Sequence, residues 1–257
     1  MQLNDLKARL AAGDTALVAT LQLARSGDTA RIFARSGFDA LVLDCEHNLI
    51  GADAAADILL AGLEAGIAPL VRLPDDAPGP IGQALSAGAL GVVIPRVETA
   101  AQAQAVARAA RFAPEGRRPL PPVFPHFRRH KVSQGEAVAT LSAETIVVVI
   151  IETQQAVRNA AAIAAVPGID VLFLGASDLS ADLGQAGMKE NPALWEAAEV
   201  VATACRAAGK VPGMGGIVEE AHFVRAKALG MRWMSTAHDA TLLQAAATAR
   251  AAWMRGL

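Results

Sequence analysis

The sequence predicts a closed (β/α)₈ TIM barrel, and three observations carry that prediction. Eight short runs are apolar almost throughout, as strands buried on both faces of a parallel sheet must be. Stretches of helical length rich in alanine, leucine and glutamate alternate with them. Several of those stretches stop at a glycine just before the next apolar run, at Gly66, Gly209 and Gly230, where a left-handed residue ends a helix without a steric penalty. Eight such repeats favour closure into a barrel over an open doubly wound sheet.

In chain order the strands read as 15–21 (TALVATL), 40–44 (ALVLD), 68–73 (APLVRL), 91–95 (GVVIP), 145–151 (TIVVVII), 170–175 (DVLFLG), 210–214 (KVPGM) and 232–236 (RWMST). Helical composition falls over 52–66, 98–111, 153–165, 192–208, 217–229 and 238–254. No boundary interrupts this order, so residues 1–257 read as one domain. The exception to the rhythm is 112–140, which is proline-rich, locally basic and too long for an ordinary helix-to-strand connection. It reads as a functional or oligomer-contact loop or a mobile insert, with a plain solvated loop as the alternative.

Composition narrows the function. With 53% hydrophobic residues and a formal charge of −2, the chain can bury a large core but has no global basic field for nucleic acid or an anionic membrane. No apolar run reaches membrane-spanning length, and the N-terminal MQLNDLKARL mixes charges where a signal peptide needs an unbroken apolar stretch. Only Cys45 and Cys205 occur. These features point to a cytoplasmic protein with reduced thiols and small-molecule partners.

Barrel chemistry sits at the C-terminal ends of the strands, and polar residues gather there. Strand two ends at Asp44 and runs into Glu46 and His47; strand three carries Arg72; strand four leads to Arg96. Strand five ends at Glu152, strand six leads through LGASDLS to Asp178, strand seven runs into PGMGG (212–216), and strand eight ends at STAHD. Neighbouring strands lie about 4.8 Å apart, so Glu152 and Asp178 can converge on one cation. Such an all-oxygen pair suits Mg²⁺ or Mn²⁺ better than Zn²⁺, with Co²⁺ also admissible. Helix capping or an ion pair with an arginine accounts for the same carboxylates equally simply.

His47 stands out among the five histidines because carboxylates accompany it and can fix its tautomer. His126, His130, His222 and His238 include several with ordinary hydrogen-bonding roles. Arg72, in an otherwise apolar strand, either neutralises a barrel carboxylate or awaits an anionic substrate. The glycines of PGMGG fit a phosphate cradle or a flexible turn.

Taken together, GFDALVLDCEH, PLVRL, GALGVVIPRVETA, IIETQQAVRN, GIDVLFLGASDLSADLG and GKVPG resemble the hydroxy-oxo-heptanedioate aldolase and citrate lyase family, the metal-dependent class II pyruvate aldolases. The resemblance runs in order over nearly the whole chain. It implies a trimer of domain-swapped pairs, a hexamer in which the last helix packs on a neighbour and active sites lie near subunit interfaces. By position it makes Glu152 and Asp178 the metal ligands, Arg72 the arginine on the keto oxygen, and His47 the base with Asp44 beside it. The backbone amides near Ala176 and Ser177 become the holders of the 2-oxo acid carboxylate, and Gly215 lines the pocket. The implied reaction releases pyruvate and an aldehyde from a 4-hydroxy-2-oxo acid.

Four positions depart from the family's pattern. Cys45 replaces a glycine, Ile150 a glutamine and Ser86 an aspartate from the adjacent subunit; in GRRPLP (116–121) no glycine follows the second arginine. Ile150 and Gly215 suggest a roomier or less polar pocket, and Arg117, Arg118, Arg128 and Arg129 suggest an anionic substrate tail. Two other readings compete: a lyase of citramalyl- or malyl-type CoA thioesters, and a barrel without turnover that binds a small acid.

Overall fold

The computed structural model describes residues 3, 5–128 and 130–256. Helix α1 (Leu6–Ala12) precedes the alternation β1 (Ala16–Leu21), α2 (Gly27–Arg35), β2 (Ala40–Asp44), α3 (Ala52–Ala65), β3 (Ala68–Arg72), α4 (Pro78–Ser86), β4 (Gly91–Ile94) and α5 (Ala100–Ala110). It continues with α6 (Gln134–Glu144), β5 (Ile146–Ile151), α7 (Gln154–Arg158), α8 (Ala160–Ala164), β6 (Val171–Gly175), α9 (Ala176–Asp182), α10 (Pro192–Ala208), β7 (Val211–Gly215), α11 (Glu220–Ala228), β8 (Trp233–His238) and α12 (Asp239–Arg255). All eight strands fall within two residues of their predicted bounds. They pair in parallel, in sequence order, and β8 closes on β1, with one register shift between Val18 and Ala19.

Period-two alternation divides each strand between two apolar layers. In β5, Val147, Val149 and Ile151 belong to the layer under the helices, whereas Ile146, Val148 and Ile150 belong to a second cluster with Val18, Val42, Leu70 and Trp233 from the other strands. That second cluster fills the barrel, so the strand ends stand on a packed floor rather than over a channel.

Two helical readings need correction. The predicted helix 153–165 is two helices, because Asn159 leaves helical geometry and its side chain donates to the Glu98 carbonyl at 2.8 Å. The supposed long loop 112–140 ends in α6, whose N-cap Ser133 accepts from Glu136 N. Only Ala137 and Leu141 of α6 are buried, so its apolar stripe is too thin to stand out behind the prolines.

The last helix stands apart from the barrel. None of α12 is buried, and Leu242, Leu243, Trp253 and Met254 are exposed. Among the described residues no helix is long and apolar enough to cross a membrane.

Candidate active site

At the C-terminal end of the barrel lies a pocket of about 220 Å³. His47, Arg72, Glu152, Ala176, Ser177, Asp178 and Gly215 all line it. Asp44 stands behind this wall, fully buried. Sequence reasoning therefore brings together a set drawn from five strand ends.

Asp44 organises the β2 side. Its Oδ1 accepts from the backbone of Glu46 and His47, both at 3.2 Å, and its Oδ2 from Asn48 Nδ2 at 2.8 Å. Arg72 forks onto the same carboxylate, Nε to Oδ1 at 3.0 Å and Nη2 to Oδ2 at 2.7 Å. Burial opposes ionisation of Asp44, but the Arg72 hydrogen bond and charge and the His47 amide outweigh it and hold the carboxyl below its usual range. Of the two carboxylates that accompany His47, Glu46 lies nearer the ring: its Oε2 is 3.6 Å from His47 Nε2 and 3.2 Å from Arg72 Nη1. A turn closed on Asp44 swings the second carboxylate, not the first, toward the imidazole.

Glu152 faces this array from β5. Its Oε1 accepts from Arg96 N at 2.7 Å. Arg96 holds the left-handed conformation, φ 53°, which non-glycine residues rarely adopt, and that strain aims its amide at the carboxylate. Burial, then the charges of Asp178 and Glu46, push the Glu152 carboxyl up to about 7, against the Arg96 hydrogen bond. On β6, Gly175 leaves room for Glu152: a Cβ there would meet Oε2 at 3.1 Å. Asp178 sits in the first turn of α9 but is not its N-cap, which is Gly175. Glu152 and Asp178 are thus near acidic neighbours on adjacent strand ends and could share a cation.

Packing accounts for two of the PGMGG glycines, Gly213 against Trp233 and Gly215 against Phe173. A Cβ on Gly215 would lie 2.3 Å from Phe173 Cζ and 2.8 Å from the Ser235 carbonyl oxygen. The space at Gly215 is therefore filled by the Phe173 ring rather than left open. Ile150 and Phe173 do give the pocket an apolar floor. Gly215→Ala is expected to destabilise the fold by about 1–3 kcal/mol through overpacking. A melting temperature equal to that of the parent would contradict this.

The basic loop is also reassigned. Arg118 is buried, stacks 4.3 Å from the Phe112 ring centroid and donates to the Leu85 carbonyl; Arg128 donates to the Leu63 carbonyl. Neither these two nor Arg117 lines the pocket, and Arg129 lies outside the described residues. Ser86, at the end of α4, and Cys45 also lie outside the wall of this chain's pocket. Burial and then Asp44 push the Cys45 thiol up, which keeps it protonated and unreactive.

Sequence reasoning gave no role to four polar wall residues, Thr20, Gln22, Ser235 and His238. Thr20 and Ser235 hydroxyls meet at 3.2 Å across the β1–β8 seam, and His238 closes β8. His238 lines the pocket with its Nδ1 buried and without a partner among the described residues; burial and then the Arg72 charge lower its pKa, against Asp44 and Asp239. Its place at a strand end was a usable signal. A second acidic and histidine group with metal-compatible spacing, Glu190, Glu219 and His222, lies outside the pocket.

Comparisons with known proteins agree with this architecture. The family model for HpcH/HpaI aldolase/citrate lyase matches residues 22–243. A 4-hydroxy-4-methyl-2-oxoglutarate aldolase from Chaetomium globosum is 36% identical over 248 residues, 95% of this chain and 92% of that protein. A hydroxypyruvate/pyruvate aldolase from Rhizorhabdus wittichii is 35% identical over 226 residues, 85% of this chain and 86% of that protein. The crystal structure of an HpcH/HpaI aldolase from Desulfitobacterium hafniense superposes with a TM-score of 0.92 at 29% identity, covering 98% of this chain and 97% of the other. With the family matched across most of its length and the barrel shared, the chain belongs to the HpcH/HpaI aldolase/citrate lyase family.

Proposed function

We propose that this protein reversibly cleaves a 4-hydroxy-2-oxo acid to pyruvate, or a close 2-oxo acid, and an aldehyde. It is an aldolase, a carbon–carbon lyase, like the relatives that match it over most of its length. The observation that carries the substrate reading is one pocket walled by a clamped arginine, an accessible histidine and two facing carboxylates.

The donor set fits a divalent cation. A buried carboxyl raised to about 7 beside Asp178, despite the amide and charge of Arg96, is relieved by a positive ion. Glu152 and Asp178 would hold Mg²⁺ or Mn²⁺, which supplies Lewis-acid stabilisation of negative charge on the bound 2-oxo acid. Arg72, held rigid by Asp44 and Glu46, points hydrogen-bond donors at the keto oxygen as charge develops there. The amides of Ala176 and Ser177, in the first turn of α9 where no intrahelical acceptor exists, receive the carboxylate. His47, with Glu46 at its Nε2, takes the proton of the C4 hydroxyl as the C3–C4 bond breaks. The bonding pair passes to C3, the aldehyde departs, and protonation of C3 completes pyruvate.

Proton NMR of pyruvate in D₂O tests this directly. Loss of the methyl signal with Mg²⁺, abolished by EDTA and by His47→Ala, is the expected result. A folded, metal-loaded protein that leaves the methyl protons unexchanged would remove pyruvate as the nucleophile.

The protein is also proposed to be a homo-oligomer, with a trimer of swapped pairs as the expected hexamer. The support is α12, whose apolar Leu242, Leu243, Trp253 and Met254 find no cover on their own barrel. Light scattering should give a multiple of the chain mass, reduced on deletion of residues 241–257; a monomer in both cases would refute it.

A further inference from the structure

At the opposite end of the barrel from the pocket, α1, the last turn of α10 and the entries to β5, β6 and β7 enclose a second cavity of about 530 Å³. Lys7, Arg206, Lys210 and Arg232 line it against a single carboxylate, Asp170. That carboxylate is already engaged: its Oδ2 lies 2.8 Å from Arg111 Nη2 and accepts from Val147 N at 2.8 Å, and its Oδ1 lies 3.2 Å from Lys7 Nζ. The other three cations have no carboxylate within ion-pair distance among the described residues. Lys210 Nζ donates to the Ile169 carbonyl at 2.7 Å, Arg232 Nη1 to the Leu10 carbonyl at 2.5 Å, and Arg206 Nη2 to Thr203 Oγ1 at 3.3 Å. Each contact is with a neutral group and occupies one donor, so the charge is left unbalanced.

A lone cation beside a helix C-terminus needs no ligand, since it answers the helix dipole. Four cations reaching one concavity from α1, α10, the start of β7 and the turn before β8 repel one another there.

We propose that this cavity binds a small phosphate-bearing anion carrying at least two negative charges. The cations approach from four separate elements, which suits a tetrahedral oxyanion that accepts bonds in several directions; a planar carboxylate is satisfied by one guanidinium fork. The volume leaves space for a small organic group beside the phosphate. The site is separate from the aldolase pocket and independent of the substrate assigned to it.

Calorimetric titration of metal-free protein in EDTA with inorganic phosphate and with pyrophosphate tests the proposal. One saturable site is expected, tighter for pyrophosphate. Arg206→Gln/Arg232→Gln should weaken it at least about tenfold, as the loss of charge-assisted hydrogen bonds implies. Should the Arg232 change prevent folding through its contact with α1, Arg206→Gln/Lys210→Gln serves in its place, with the same expectation. Asp44→Asn/Arg72→Met, altered in the aldolase pocket, should bind as the parent does. Absence of a saturable site, binding that survives the cavity changes, or binding lost in the pocket variant would each overturn the proposal. Tighter binding of tricarballylate than of pyrophosphate would overturn the phosphate assignment.

Discussion

Glu152→Gln is expected to lower kcat by about a thousandfold or more, because it removes one of two anionic ligands proposed for the cation whose charge stabilisation contributes several kcal/mol. Metal affinity, read by calorimetry with Mn²⁺, should fall with it. The substitution keeps size and leaves an acceptor for the Arg96 amide, so the fold should persist. Its pH behaviour provides a second readout. Burial raises the Glu152 carboxyl from about 4.5 to about 7 in the folded protein. The proton is thus bound more tightly by the native state. The resulting stabilisation is complete below the unfolded pKa and disappears as pH rises through about 7. Metal-free parent protein should therefore lose stability between about pH 5 and pH 8, and the Gln variant should lose less. Mn²⁺ competes with that proton, so parent affinity should tighten over the same range. Identical pH profiles for parent and variant would show that Glu152 is not the group that titrates.

Arg72→Met should be the most destabilising of the pocket substitutions. It leaves Asp44, with no solvent exposure, and Glu46 without their shared cation, a loss of about 3–5 kcal/mol for a broken buried pair. In a chain of this size that corresponds to a melting temperature lower by roughly 10 °C. Activity should fall by about a thousandfold, since the donor for the keto oxygen is gone. Stability and catalysis can then be separated. Asp44→Asn/Arg72→Met removes the uncompensated charge and should recover much of the stability while remaining inactive. A double variant no more stable than Arg72→Met would show that the guanidinium contributes packing rather than charge balance.

The positions of Glu152, Asp178, His47 and Arg72 were legible because each interrupts or ends an apolar run, and a barrel directs such residues to one face. Their partnerships were not. Glu46 is one residue and Asp44 three residues from His47, and spacing does not say which of them meets the imidazole. The fork of Arg72 onto Asp44 joins residues 28 positions apart through the register of β2 with β3, where Asp44 pairs with Arg72. Gly215 read as open space because a sequence displays the missing side chain and not the Phe173 ring that occupies the space. His238 was visible in STAHD at the end of strand eight, but nothing in its spacing set it apart from the other histidines.

The sequence by itself determined the barrel, the order of its strands, the family and the strand ends that supply the pocket's charged residues, since these follow from period, turn chemistry and motifs local to the chain. Tertiary structure alone decided that Asp44 and Glu46 share Arg72 while only Glu46 lies near the His47 ring, and that Glu152 is buried enough to hold its proton near neutrality. It also decided that Arg118 and Arg128 pack against the barrel's helices while Lys7, Arg206, Lys210 and Arg232 meet beneath it. The reason is physical: burial, charge coupling and donor geometry depend on which distant segments come within a few ångströms, and closure of the barrel sets those distances.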